Sequence, residues 1–161
     1  HPLADRFFYT LPAQSHRKGA SMEYKRFGNT VVARMDRGED IPSELKKIAL
    51  AEQIRLAEVS ALGACSEFTV GVFRPLENRF QANDFKGDYE IDAIVGTVNT
   101  MNGEFYSQLH MTASDPAGTT VGGHLTRAIV SMTCEMVIRI IDGTVDRTYS
   151  EELHINQLSF Q

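Results

Sequence analysis

The spacing of apolar side chains changes once along this chain, from helical to alternating, and that change organises it. Thr30-Val31-Val32-Ala33-Arg34-Met35 alternates and predicts a strand, followed by a turn at Arg37-Gly38-Glu39-Asp40. Asp40 is placed to cap a helix, with Pro42 in the first turn, where a missing N–H costs nothing. Leu45, Ile48 and Ala49 then recur at helical spacing, with Glu44, Lys46 and Lys47 expected to face outward. This pattern predicts one helix over 41–55.

Beyond the helix the period is two. Residues 57–64 and 67–74 read as consecutive strands broken near Gly63, and 78–85 as a further short strand. The strand over 89–99 contains Gly96, a bulge or a point of close backbone approach. Asn102-Gly103 signals a hairpin before a strand over 104–113. Asp115-Pro116-Ala117-Gly118 is a second turn. Strands over 120–126 and 129–141 follow, Asp142-Gly143 ends the run, and 149–160 adds an edge strand. The elements predict an α+β fold, mostly antiparallel β-sheet with one main α-helix.

Residues 1–21 stand apart. They show no sustained periodicity, hold Pro2 and Pro12, and end on Gly19-Ala20-Ser21 directly before Met22. They read as a leader ahead of a native start at Met22, or as a flexible arm, with one domain over 22–161. A total of 161 residues fits one domain with a real core, and 42% hydrophobic with 23% charged residues argues against global disorder. No apolar stretch approaches the roughly 20 residues of a membrane-spanning helix, and no signal peptide is apparent. Cys65 and Cys134 lie in apolar runs outside any CxxC pair, which favours two buried free thiols in a reducing cytoplasm over one disulfide.

Charge narrows the partners. The net charge is −5, and residues 22–161 alone carry 13 basic against 20 acidic side chains. A protein that grips phosphates normally shows a basic face, and no basic cluster here is longer than Lys46-Lys47. The balance opposes DNA binding by the domain alone.

Candidate chemistry centres on two histidines. Alternation puts Tyr106, Gln108, His110 and Thr112 on one strand face and Phe105, Leu109, Met111 and Ala113 on the core face. If Ser114 opposes Thr119, His110 faces Gly123; a one-residue bulge beside Gly122-Gly123 brings His124 opposite His110 instead. Opposed side chains have Cβ atoms about 4.5–5.5 Å apart, close enough for two imidazoles to share a metal ion. Gln108 is a third, weaker oxygen donor, or a group that orients water. The alternative is an ordinary polar cross-strand pair, since a tight zinc site wants three or four ligands. A second strand puts Val130, Met132, Cys134, Met136, Ile138 and Ile140 on its apolar face and Ser131, Thr133, Glu135 and Arg139 on the other. Glu135 is either a base or ligand, or a solvated carboxylate. His1 and His16 fall in the leader and His154 at the surface of the tail. No phosphate-binding glycine loop, nucleophile elbow or HExxH is present, and Gly122-Gly123 is better explained by backbone geometry.

These residues carry a resemblance. Val59-Ser60-Ala61-Leu62-Gly63-Ala64 with Phe68-Thr69-Val70-Gly71, then Gly87-Asp88-Tyr89-Glu90-Ile91 and Val95-Gly96-Thr97-Val98, follow the strand motifs of one family. Leu109-His110-Met111 followed by Gly122-Gly123-His124-Leu125, a histidine strand and a GGHL segment, is the most specific match, and Thr133-Cys134-Glu135-Met136-Val137-Ile138 continues it. Over about residues 23–142 the chain resembles the plants-and-prokaryotes-conserved (PPC) domain family, in its stand-alone prokaryotic form. The resemblance implies a sheet packed with one helix, a homotrimer, and a metal, usually zinc, at a histidine cluster that would include His110 and His124. The family often has a further histidine two residues before His110, where this chain has Gln108. Its association with DNA comes mainly from plant members with a separate basic AT-hook, and no such segment occurs here.

Three function classes follow. The first is a trimeric binding or regulatory module that contacts DNA, by resemblance, or a partner protein. The second is a metal-dependent enzyme or small-ligand-binding protein using the His110/His124 face, with Gln108 positioning water or substrate. The third gives the histidines a purely structural role in register or trimer packing. The first is the preferred expectation; whether the chain is an enzyme is left open.

Overall fold

A computed structural model of the chain describes residues 21–160, so the leader expected over 1–21 lies, apart from Ser21, outside the described residues. The chain opens with a hairpin, β1 (Glu23–Phe27) and β2 (Thr30–Asp36). The first of these strands is exposed throughout, so no alternation announced it.

Helix α1 (Ile41–Ala51) starts where Asp40 predicts it: the carboxylate accepts from Ser43 N at 3.2 Å and from Ser43 Oγ at 2.6 Å. It ends four residues short of the expected boundary. Gln53 turns left-handed at φ 54°, and Ile54 N donates back to Ala49 O at 2.9 Å, which returns Ile54 to the core. Glu44, expected outward, is buried and paired with Lys47 Nζ at 2.7 Å; it lies beside Ile41, Leu45, Ile48 and Ala49 on the inward side.

Several expected strands are one. Residues 57–64 and 67–74 form a single β3 (Ala57–Arg74), whose register shifts between Ala61 and Gly63 and between Cys65 and Glu67 bend it without breaking it. Likewise 78–85 and 89–99 form β4 (Arg79–Met101), and 120–126 and 129–141 form β6 (Thr120–Ile140). Between β4 and β6 runs β5 (Glu104–Ser114), reached through Asn102 and Gly103 at φ 53° and 78°, as their identity predicted. Gly96 is a point of close approach and no bulge: it pairs in register on both sides, and a Cβ there would collide with the Gln108 carbonyl.

All pairings are antiparallel, in the order β1-β2-β6-β3-β4-β5, and β5 pairs again with β6, so the sheet closes on itself. Inside lie Phe68, Ile94, Met111, Met136 and Ile138, with α1 packed against β5 and β6. Met132, expected inside, is 65% exposed. Ser131, Met132 and Thr133 together oppose the single Ala64 between the pairs Cys65↔Val130 and Gly63↔Cys134, and this bulge throws Met132 outward. Cys65 and Cys134 are free and buried, and burial chiefly pushes both thiols up to about 12. The tail is no edge strand of the main sheet. It forms its own hairpin, β7 (Asp146–Ser150) and β8 (Ile155–Ser159).

Candidate functional site

The β5–β6 ladder pairs Ser114 with Thr120 and runs without interruption to His110↔His124. The two histidines face each other as expected, but by a different route. The offset lies in the connection, which is one residue wider than the expected turn. Asp115 N donates to Thr119 O at 3.0 Å, and Asp115 Oδ1 accepts from Ala117 N and Thr119 N at 2.9 Å each. The irregularity of β6 in this region lies against β3 instead, where Thr69↔Arg127 is followed by Val70↔Leu125.

Glycines let three backbones converge here. Gly123 sits at φ 153°, and a Cβ on it would come within 2.5 Å of Gly71 O. Gly71 in turn pairs with His124 across β3–β6 and lies under the Phe80 ring. The glycines thus set His124 between β3 and β5, with Phe80 edge-on at 5.6 Å between centroids. The His110 and His124 centroids are 5.7 Å apart at 84°.

The pair opens into a cleft of about 840 Å³. Val72, Phe73 and Phe80 form one wall, and Tyr106, Gln108 and His110 on β5 form its polar floor. Its roof is the tail hairpin, through Ile155, Asn156 and Leu158. His124 is half-buried, and burial first, then His110, holds its imidazole below the usual 6.5. It is therefore neutral at neutral pH, with a free lone pair to ligate or accept a proton.

Arg147 on β7 also lines the cleft, at 7% exposure. Its Nε donates to Asn99 Oδ1 at 2.9 Å and its Nη1 to Asn156 O at 2.9 Å, and its guanidinium lies 4.7 Å over the Tyr106 ring. Sequence reasoning missed this residue, along with Phe80 and the roof. The signal was slight: Arg147 is the last basic residue of the chain and the only one after Arg139.

Glu135 does not join the site. It is exposed at the far end of β6, paired in register with Arg34 beside Glu23 and Tyr24. His154 is a turn residue at φ 58° whose Nδ1 meets Tyr149 Oη at 3.1 Å, and His1 and His16 lie outside the described residues. Among the described residues no group of three or more His, Cys, Asp or Glu is placed to hold a metal ion, and no helix is long and apolar enough to cross a membrane.

The family model of the Plants and Prokaryotes Conserved (PCC) domain matches residues 22–142. The chain belongs to this family. Within the PCC domain the match takes in both histidines and ends before the roof hairpin begins. Solved structures share the fold. One is a candidate DNA-binding protein from Bacteroides thetaiotaomicron, 26% identical with a TM-score of 0.85, covering 88% of this chain and 99% of its own. A metal-containing protein from Archaeoglobus fulgidus is 21% identical with a TM-score of 0.78, covering 88% and 99%. A plant- and prokaryote-conserved protein from Pyrococcus horikoshii is 21% identical with a TM-score of 0.73, covering 84% and 94%. No curated protein matches the chain.

Proposed function

We propose that this PCC-domain chain is a binding module that works through the His110–His124 cleft and takes a small ligand there, with a transition metal as an accessory. The observation that carries this reading is the direct opposition of exposed His110 and half-buried, neutral His124 at a largely apolar cleft beneath the tail hairpin. Among the described residues that line the cleft there is no Ser, Cys, Asp or Glu, so binding needs fewer assumptions than catalysis.

The metal reading depends on donor chemistry. Two imidazoles whose nitrogens each sit about 2.0–2.1 Å from one tetrahedral zinc have centroids roughly 5–5.5 Å apart, so the pair at 5.7 Å is within a small ring rotation of sharing an ion. The third donor on the same face is the Gln108 amide oxygen, a weak zinc ligand. The set fits an open, moderate-affinity site better than a closed structural one. His110 and His124 would hold the ion, Gln108 would complete the protein's share, and the ion would offer a Lewis-acidic position to a ligand oxygen. The description of the Archaeoglobus fulgidus relative as metal-containing supports this part.

Elemental analysis tests it, on protein purified without affinity tag or chelator. Zinc near one per chain that is lost in His124→Ala is the expected result. A metal-free wild type that also takes up no added zinc would remove the metal from the reading.

A second reading has one observation in its favour: the Bacteroides thetaiotaomicron relative is described as a candidate DNA-binding protein. The acidic balance of residues 22–161 counts against it. A mobility shift that appears at low salt and fades as salt rises would revive DNA contact; its absence at low salt would sink it.

A further inference from the structure

Arg147 is a buried cation in search of an anion. Among the described residues no carboxylate pairs with it: its hydrogen-bond partners, Asn99 and Asn156, are both neutral acceptors. The carboxylate beside it in sequence, Asp146, is turned away, accepting from Thr100 Oγ1 at 3.0 Å and Asn102 N at 3.3 Å. Its Nη2 donates to no partner among the described residues, although every other donor nitrogen of the guanidinium is engaged. An unneutralised charge at this burial is costly unless something compensates it. The Tyr106 ring beneath it offers only partial compensation. Two hydrogen bonds and a stacked ring hold the guanidinium in place, and the free Nη2 is left to donate to a carboxylate oxygen.

The surroundings define the rest of the occupant. Arg147 stands over Tyr106, four residues along β5 from His110 on the same face, so the cation and the histidine pair mark two ends of one cleft. Between them the walls are apolar, with Phe80 on one side and Leu158 and Ile155 on the other.

We propose that the cleft binds an amphipathic organic carboxylate, its acid group on Arg147, its apolar body between Phe80 and Leu158, and its far end at His110 and His124. This rests on the cleft being the working site. It assigns Arg147 the selection of charge, and it makes the tail hairpin, which lies beyond the matched PCC segment, part of the binding machinery.

The test uses phenylbutyrate and its uncharged amide, which share shape and apolar area. Titration of the full chain is followed by NMR at the Arg147 Nε–H and at the imidazole carbons of His110 and His124. The acid is expected to shift all three sites saturably and to bind at least about tenfold more tightly than the amide, the preference a charge-assisted hydrogen bond provides. In Arg147→Met that preference should vanish, and in Arg147→Lys it should fall partway. His124→Ala should weaken acid and amide alike and leave their ratio intact. Equal binding of acid and amide to wild type, with the histidines still perturbed, overturns the carboxylate assignment but leaves the cleft as a site. No saturable shift at His110 or His124 with either compound overturns both. The comparison of acid with amide on wild type needs no variant, so a poorly folding Arg147→Met does not spare the proposal.

Discussion

His124 shows what burial does to one imidazole. Its folded value lies below 6.5, chiefly because desolvation disfavours the cation and then because His110 is opposite. The unfolded chain therefore binds the proton more readily than the folded one. The fold feels no penalty from this group above 6.5; it loses stability as pH falls from there toward the lowered folded value, and the loss levels off below that. Chelator-treated wild type should show a melting temperature that falls more steeply as pH drops below about 6.5 than that of His124→Gln. Parallel profiles would mean that the half-buried environment does not perturb this ring. The same neutral state is what a ligand or metal needs, so binding at the cleft should weaken over the same acid range.

At the scale of elements, the junction of β3, β5 and β6 rests on missing side chains. Gly123→Ala adds a Cβ at φ 153° that would press on the Gly71 backbone. It should cost about 2–3 kcal/mol in urea unfolding and displace His124. A loss within experimental error would show that β3 and β6 can separate at no expense. The elements also show how far the sequence could be read. The helix start and the Asn102-Gly103 hairpin were legible, and the Asp115 turn in place though not in width, because each is specified by a few neighbouring residues. The faces of His110 and Leu109 were legible because alternation is local as well. The continuity of β3, β4 and β6 was not: bulges such as Ser131–Thr133 against Ala64 depend on a partner strand far away in sequence, and the pattern reads them as breaks. Exposed β1 carries no buried face to announce it. The cleft was half legible. Register gave the histidine pair, although the wider Asp115 loop, and no bulge, produced it. Arg147 and the roof were out of reach, because only the folded tail brings them over β5.

At the scale of the whole molecule, the described residues expose an apolar row across the sheet. Val32, Val137 and Val95 are 47%, 42% and 57% exposed, and they follow one another across β2, β6 and β4 with Ser60 of β3 between them. The row continues to His110, since Val95 pairs with it across β4–β5. Apolar positions of this kind, aligned on one sheet face, suit contact with other copies of the chain. The family resemblance implies a homotrimer; if this row forms its interface, light scattering should give a mass of three chains for wild type and of one for Val137→Lys, and a monomeric wild type would retire that expectation. Closure of the sheet has a further consequence, in time. Strand β6 pairs with β2 and β3, tying the first part of the chain to the last, while its pairing with β5 joins near neighbours across one short loop. Contacts that span most of a chain form slowly, whereas hairpins close on the order of microseconds. During synthesis the β1–β2, β3–β4 and β4–β5 hairpins can form early, but the sheet cannot close until β6 emerges. The histidines can meet as soon as it does, before the barrel around them has closed and before the roof exists.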